Sequence, residues 1–187
     1  MGFVLMADPQ TAAGPANDPQ TYFLLDTLKN VTSESIPSAT LAWLQYEQSI
    51  TKTAEYLTQQ TCIVQNRKQE LSAAPPWLPS QYQQNTCTFT RKIELMAGTQ
   101  QILLAGTYTH PNGDVVKALE ELGDKPLANL LFSKTANYST HCNYVKSGSG
   151  YGRVVEWQIA SCTHPLLLVE LFDPNFVHLY SPTSADI

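Results

Sequence analysis

Apolar side chains recur along this chain with two different periods, and the change of period separates a helical front from a run of strands. Tyr22, Leu24, Leu25 and Leu28 form one stripe soon after Asp18-Pro19, which reads as an N-cap followed by proline at the first helical position. A second helical stretch starts near Ser38, a candidate cap, and runs through Leu41, Trp43, Leu44 and Glu47. Ser49 and Ile50 mark a break before it resumes at Thr51 with Ala54 and Leu57. From Thr61 the period falls to two, giving a strand over residues 62–71, a Pro-rich loop over 74–79, and a hairpin of residues 86–97 and 101–109 around Gly98. A helix over 114–122 closes at Gly123, and a shorter one follows Pro126. Strands over 138–146, 153–162 and 166–172 complete the set, with Ser147-Gly148-Ser149-Gly150 as a flexible turn. Consecutive hairpins, with helices grouped at the front and in one middle insertion, predict an α+β domain on a single antiparallel β-sheet. Residues 7–19 lack any apolar period, so the expected division is a mobile tail over 1–18 and one domain over 19–187.

Three charges break the pattern. Alternation over 86–97 puts Cys87, Phe89, Ile93, Leu95 and Ala97 on one face, and Arg91 falls among them. An unpaired guanidinium out of water costs several kcal/mol, about as much as a whole side chain's packing, so Arg91 needs a carboxylate from the protein or from a ligand. The run Leu166-Leu167-Leu168-Val169-Glu170-Leu171-Phe172 reads as a strand covered on both faces, yet it carries Glu170. A buried carboxylate must be paired, hydrogen-bonded or protonated, and Arg91 is a candidate cation for it. Arg153 shares a face with Val155, Trp157 and Ile159; at the expected strand start it has a route to solvent.

Composition narrows the choice of chemistry. With 187 residues, 43% apolar and 14% charged, the chain has enough apolar mass for one core. A net charge of -5 and a pI near 5.3, with no Lys/Arg cluster, argue against nucleic acid; they also mean that a small anion must be held by a few local cations. Cys62, Cys87, Cys142 and Cys162 show no C-x-x-C and read as free, mostly buried thiols. His110, His141, His164 and His178 show no metal-ligand spacing, and no G-x-S-x-G or P-loop occurs; His164 and His178 are expected at the surface. No apolar run is long enough for a membrane span, and the opening Met1 to Met6 lacks a basic region, which makes the cytoplasm the expected location.

Several ordered motifs then point to one family. They are Leu41-Ala42-Trp43-Leu44 with Glu47-Gln48-Ser49-Ile50-Thr51-Lys52, Arg91-Lys92-Ile93 leading to Leu104-Ala105-Gly106, and Leu122-Gly123-Asp124-Lys125-Pro126-Leu127 before Leu131-Phe132. The strongest is Pro165-Leu166-Leu167-Leu168-Val169-Glu170-Leu171-Phe172, followed by Leu179-Tyr180. Together they resemble the chorismate pyruvate-lyase family, over most of the chain beyond Leu41. The resemblance implies an antiparallel sheet with helical flaps closing a pocket, and a lyase that converts chorismate to 4-hydroxybenzoate and pyruvate as a quinone-ring precursor. It implies no cofactor and no metal; a closed pocket that prefers a flat aromatic acid should also hold its product, so product inhibition from slow release is expected, and the chain is expected to be a monomer. By position, Arg91 would grip the ring carboxylate and Glu170 the 4-hydroxyl, with main-chain groups near Ile50 and Leu127 lining the pocket. Thr107 stands where family members carry a second arginine, so Lys52, Lys125 and Arg153 are the candidate cations for the enolpyruvyl carboxylate. The alternative is a non-catalytic aromatic-acid-binding domain of the same fold, the sensor role found in some transcription regulators; a lyase making another hydroxybenzoate isomer is a further one.

Overall fold

A computed structural model of the chain describes residues 22–133 and 137–184, so the expected tail over 1–18 and the Asp18-Pro19 cap lie outside the described residues. The described part is α+β. Seven strands form one open antiparallel sheet: β1 (Lys29–Asn30), β2 (Cys62–Ala73), β3 (Cys87–Ala97), β4 (Gln100–Thr109), β5 (Tyr138–Ser147), β6 (Gly150–Gln158) and β7 (Leu166–Phe172), in the order β1-β5-β6-β7-β4-β3-β2. Among the described residues there are six α-helices: α1 (Phe23–Asp26), α2 (Ser38–Leu44), α3 (Ile50–Thr58), α4 (Val115–Leu122), α5 (Ala128–Leu131) and α6 (Pro174–Leu179). None is long and apolar enough to cross a membrane.

The order of strands explains the apolar run. β7 arrives late in the chain yet pairs with both β6 and β4, so it lies in the middle of the sheet and is covered on both sides. Its alternate residues serve two cores. Leu166, Leu168 and Phe172 face the helices α2 to α6, whereas Leu167, Val169 and Leu171 face Leu25 of α1 and the loop residues Leu78 and Tyr82. Glu170 falls on the helical face with Leu168 and Phe172.

Local chemistry sets the helix ends. The Ser49 hydroxyl accepts a hydrogen bond from Lys52 N at 3.3 Å and caps α3, so the expected break falls at residues 45–49 and Ile50 already belongs to the helix. Ser38 is the first residue of α2 rather than its cap, since Pro37 occupies the cap position. The expected helix through Leu28 ends at Asp26. Helix α6 carries a signal that alternation could not show: Asp173 Oδ1 accepts from Asn175 N and Phe176 N, and Pro174 supplies a fixed φ. α6 then packs Phe176 on Trp43 with ring centroids 5.0 Å apart, and Trp43 Nε1 donates to the Tyr180 carbonyl at 2.9 Å. Strand β6 begins at Gly150, three residues before the expected start, and ends at Gln158, because Gly148 (φ 57) turns the chain tightly enough for Ser147 to pair with Gly150.

The thiols are less buried than expected: Cys62 is buried, but Cys87 and Cys162 are only half-buried, and all three are free. The side chain of Cys142, like that of His141, lies outside the described residues.

β6 and β7 approach closely at Gly152, where an added Cβ would stand 2.4 Å from the Glu170 carbonyl oxygen. That atom is backbone in the middle of the sheet and cannot swing aside. Gly152→Ala is therefore expected to cost about 2–3 kcal/mol of stability by overpacking, read as a lower urea midpoint at unchanged slope.

Candidate functional site

One row of paired residues crosses the sheet: Arg153 on β6, Glu170 on β7, Ala105 on β4 and Ile93 on β3. Directly paired residues share a face, and all four point toward the helices. Ala105 is small, which leaves space above the row. That space is a cavity of about 630 Å³, roofed on one side by residues 44–51 and on the other by residues 126–132. Leu95, Leu103, Val155, Leu168 and Trp157 extend its floor, and Tyr144 of β5 closes an edge. The lining is mostly apolar with few charges, the character of a small-molecule site.

The charges on the floor form one unit. Arg153 Nε donates to Glu170 Oε2 at 2.6 Å, with both side chains only about an eighth exposed (13% and 12%). Arg153 Nη1 donates to the Leu44 carbonyl at 3.2 Å and the Tyr46 carbonyl at 2.5 Å, fastening the floor to the end of α2. Those carbonyls belong to the last turn of the helix and its exit, where no helical N–H is available to them. Arg153 Nη2 and Glu170 Oε1 have no protein partner among the described residues, yet neither is a buried orphan; both keep access to the cavity. Two expectations change here. The cation beside Glu170 is Arg153, not Arg91. Arg153 itself is inside the sheet rather than reaching solvent, because β6 starts three residues earlier than its alternation suggested.

Arg91 is buried, at 1% exposure, in the neighbouring row with Thr107 and Leu168. Strand spacing puts its Cα about 12 Å from that of Glu170, two strands over and two residues along. Its Nη2 donates to the carbonyls of Gly123 at 3.0 Å and Lys125 at 2.8 Å, and its Nε is buried without a partner. No carboxylate among the described residues lies within ion-pair distance of it, since Asp124 is engaged by Arg67 at 2.7 Å. Burial, reinforced by the Arg67 charge, pushes the guanidinium down to about 10, so it stays charged at neutral pH. Arg91 does not line the cavity, because the loop over residues 123–127 lies across it.

Of the other candidates, Ile50 and Leu127 line the cavity from the two roofing stretches. Thr107 does not; its hydroxyl donates to the Arg91 carbonyl at 3.0 Å, so it is spent within the sheet. Lys52 is exposed on α3 and Lys125 contributes its carbonyl to Arg91, and neither side chain lines the cavity. Tyr144 and Ser139 on β5 were not singled out by sequence, since they carry no charge out of place. His164 is half-exposed and stacks on His110 with centroids 5.1 Å apart, while His178 is exposed. Among the described residues no group of three or more His, Cys, Asp or Glu is placed to hold a metal ion. The chain matches no known protein-family model, and no curated protein sequence matches it.

Arg153→Met leaves Glu170 in the cavity floor without its cation and is expected to cost about 3 kcal/mol of stability. The double variant Arg153→Met/Glu170→Gln should recover a large part of that loss. A double-mutant cycle by urea denaturation is expected to return a coupling of about 2 kcal/mol; additive single losses would show that the pair is held by packing alone.

Proposed function

We propose that the protein is a chorismate pyruvate-lyase-like enzyme, which converts chorismate to 4-hydroxybenzoate and pyruvate in the cavity between the sheet and residues 44–51 and 126–132. The observation that carries the reading is Arg91: a buried guanidinium with an unpartnered Nε and, among the described residues, no carboxylate within ion-pair distance, one row from a pocket that contains Glu170. Keeping such a charge dry is costly unless a ligand supplies the counter-charge. The resemblance of the Arg91 and Glu170 segments to that family, and the single antiparallel sheet with its pocket on one face, support the same reading.

Chorismate is a cyclohexadiene one elimination from an aromatic ring. Loss of the C4 hydrogen with cleavage of the C3–O bond yields 4-hydroxybenzoate, and the departing enolpyruvate takes up a proton to become pyruvate. Aromatisation drives the step, so the protein's work is to bind and orient. In this reading the loop over 123–127 moves aside and Arg91 exchanges its two carbonyl partners for the ring carboxylate, a charge-assisted contact that both guanidinium edges can make. Glu170 Oε1 accepts the 4-hydroxyl at the other end. Arg153, the only one of the three candidate cations that lines the pocket, presents Nη2 to the ether oxygen, where negative charge develops as the bond breaks. The enolpyruvyl carboxylate, carried on the carbon next to that oxygen, meets the same guanidinium, which thereby stands in for the arginine absent at Thr107.

The Arg153–Glu170 ion pair also gives a specific ground for a second reading, a non-catalytic aromatic-acid-binding domain, because it occupies one oxygen of the carboxylate that chemistry would use. Purified protein mixed with chorismate distinguishes the two: equal appearance of 4-hydroxybenzoate and pyruvate is the result expected, and saturable binding without turnover assigns the second reading.

Arg91→Ala and Glu170→Gln are each expected to lower kcat/KM about a hundredfold or more, with far-UV circular dichroism unchanged. Wild-type rates in both would remove these residues from the site. A pocket roofed on two sides should also release a flat acid slowly. Progress curves are expected to bend early when 4-hydroxybenzoate is added at the start, and curves that stay linear would show that release does not limit turnover.

A further inference from the structure

The row of paired residues on the cavity floor has a fifth member. Tyr144 of β5 pairs directly with Arg153, so the two side chains rise from the same face with Cβ atoms about 5 Å apart. Tyr144 lines the cavity and is half-buried. Its hydroxyl has no hydrogen-bond partner among the described residues, and the oxygen keeps accessible surface. The other hydroxyls around the cavity differ. Tyr46 Oη, in the roof, accepts from Thr53 Oγ1 at 2.9 Å, and Ser139 and Thr51 offer aliphatic hydroxyls, which are much weaker acids than a phenol. Among the described residues, Tyr144 is thus the one pocket phenol left free to give up a proton, and it stands beside a cation that would stabilise the phenolate.

Its place in the row says which atom receives the proton. Strands β7, β6 and β5 lie side by side, so Glu170, Arg153 and Tyr144 follow one another across the sheet. The substrate atoms follow in the same order: the C4 hydroxyl at Glu170, the ether oxygen at Arg153, and then the enolpyruvyl side chain, whose branch away from the carboxylate ends in a methylene carbon. Resting on the lyase reading above, we propose that Tyr144 is a catalytic general acid whose phenol protonates that methylene carbon, turning the leaving group into pyruvate before it departs. The C3–O bond breaks with its electron pair on oxygen, leaving an enolate. The oxygen pair then forms the ketone C=O, while the pair of the carbon–carbon double bond takes the Tyr144 proton and makes the new methyl C–H bond. A phenol is a stronger acid than the methyl group of a ketone, so this transfer runs downhill. The phenolate regains a proton from water, and the proton lost from C4 passes to water, so the exchange balances without any other reactant.

The test gives the full chain chorismate that carries one deuterium at a fixed position on the methylene, in tritiated water, and traps the pyruvate at once as lactate with lactate dehydrogenase and NADH. A proton delivered from one side gives a methyl group of one configuration. The expected result is a tritiated methyl of predominantly one configuration from the wild type, and equal amounts of both from Tyr144→Phe, with pyruvate appearing later than 4-hydroxybenzoate because the enol is released and protonated in bulk water. Since C–O cleavage precedes carbon protonation, the rate of 4-hydroxybenzoate formation in Tyr144→Phe should stay within about tenfold of wild type. If Tyr144→Phe still gives one configuration with no lag, the inference fails and the lyase reading stands. A wild-type methyl of mixed configuration, or one that takes its hydrogen from the ring and carries no tritium, overturns it equally. If the wild type forms neither product, the inference falls together with the reading on which it rests.

Discussion

The Arg153–Glu170 ion pair spans β6 and β7 at the centre of the sheet, and the remainder of the site is arranged around it. Neither charge would tolerate that position alone: each is mostly withdrawn from water, and the attraction between them offsets a desolvation cost that either would otherwise bear by itself. Arg153 extends the constraint outward. By donating to the carbonyls of Leu44 and Tyr46 it fixes where the chain leaves α2, and so where residues 44–51 roof the cavity. One guanidinium thus couples the floor of the pocket to one of its walls, leaving Nη2 and the second oxygen of Glu170 directed at the space between them.

Arg91 obeys a different logic. It has carbonyl oxygens for partners rather than a carboxylate, and a carbonyl dipole compensates a buried cation less fully than a counter-ion does. The loop over 123–127 that provides those oxygens also carries Leu127 to the pocket wall, so the same segment both covers Arg91 and shapes the cavity. On the proposed reading, a substrate carboxylate competes with this loop for one guanidinium. Binding of the acid and opening of the loop become one equilibrium, and affinity is reduced by whatever it costs to displace the two carbonyls.

Much of this was legible from pattern. Alternation placed Arg91 inside the sheet and put Arg153, Val155 and Trp157 on one face. The uninterrupted run around Glu170 announced a central strand, and Gly98, Gly123 and Gly148 marked turns at positions that adopt positive φ. The misread boundaries share a cause: strand and helix ends are decided by pairing partners and caps that a periodic pattern does not report, as at Gly150 and Ser49. The missed helix α6 had its signal in Asp173-Pro174, a capping dipeptide hidden behind the apolar run.

By itself, the sequence determined the α+β class, the sheet faces of Arg91 and Arg153 and the presence of charges set among apolar residues, because side-chain period and residue chemistry are local properties. Only the tertiary structure decided which charges meet. Register and strand order put Arg153 opposite Glu170 and left Arg91 one row and two strands away, beneath carbonyls from a loop more than thirty residues distant (Gly123, 32 residues on; Lys125, 34). Pairing across a sheet depends on the order in which strands assemble, and no neighbouring residue in the chain encodes it.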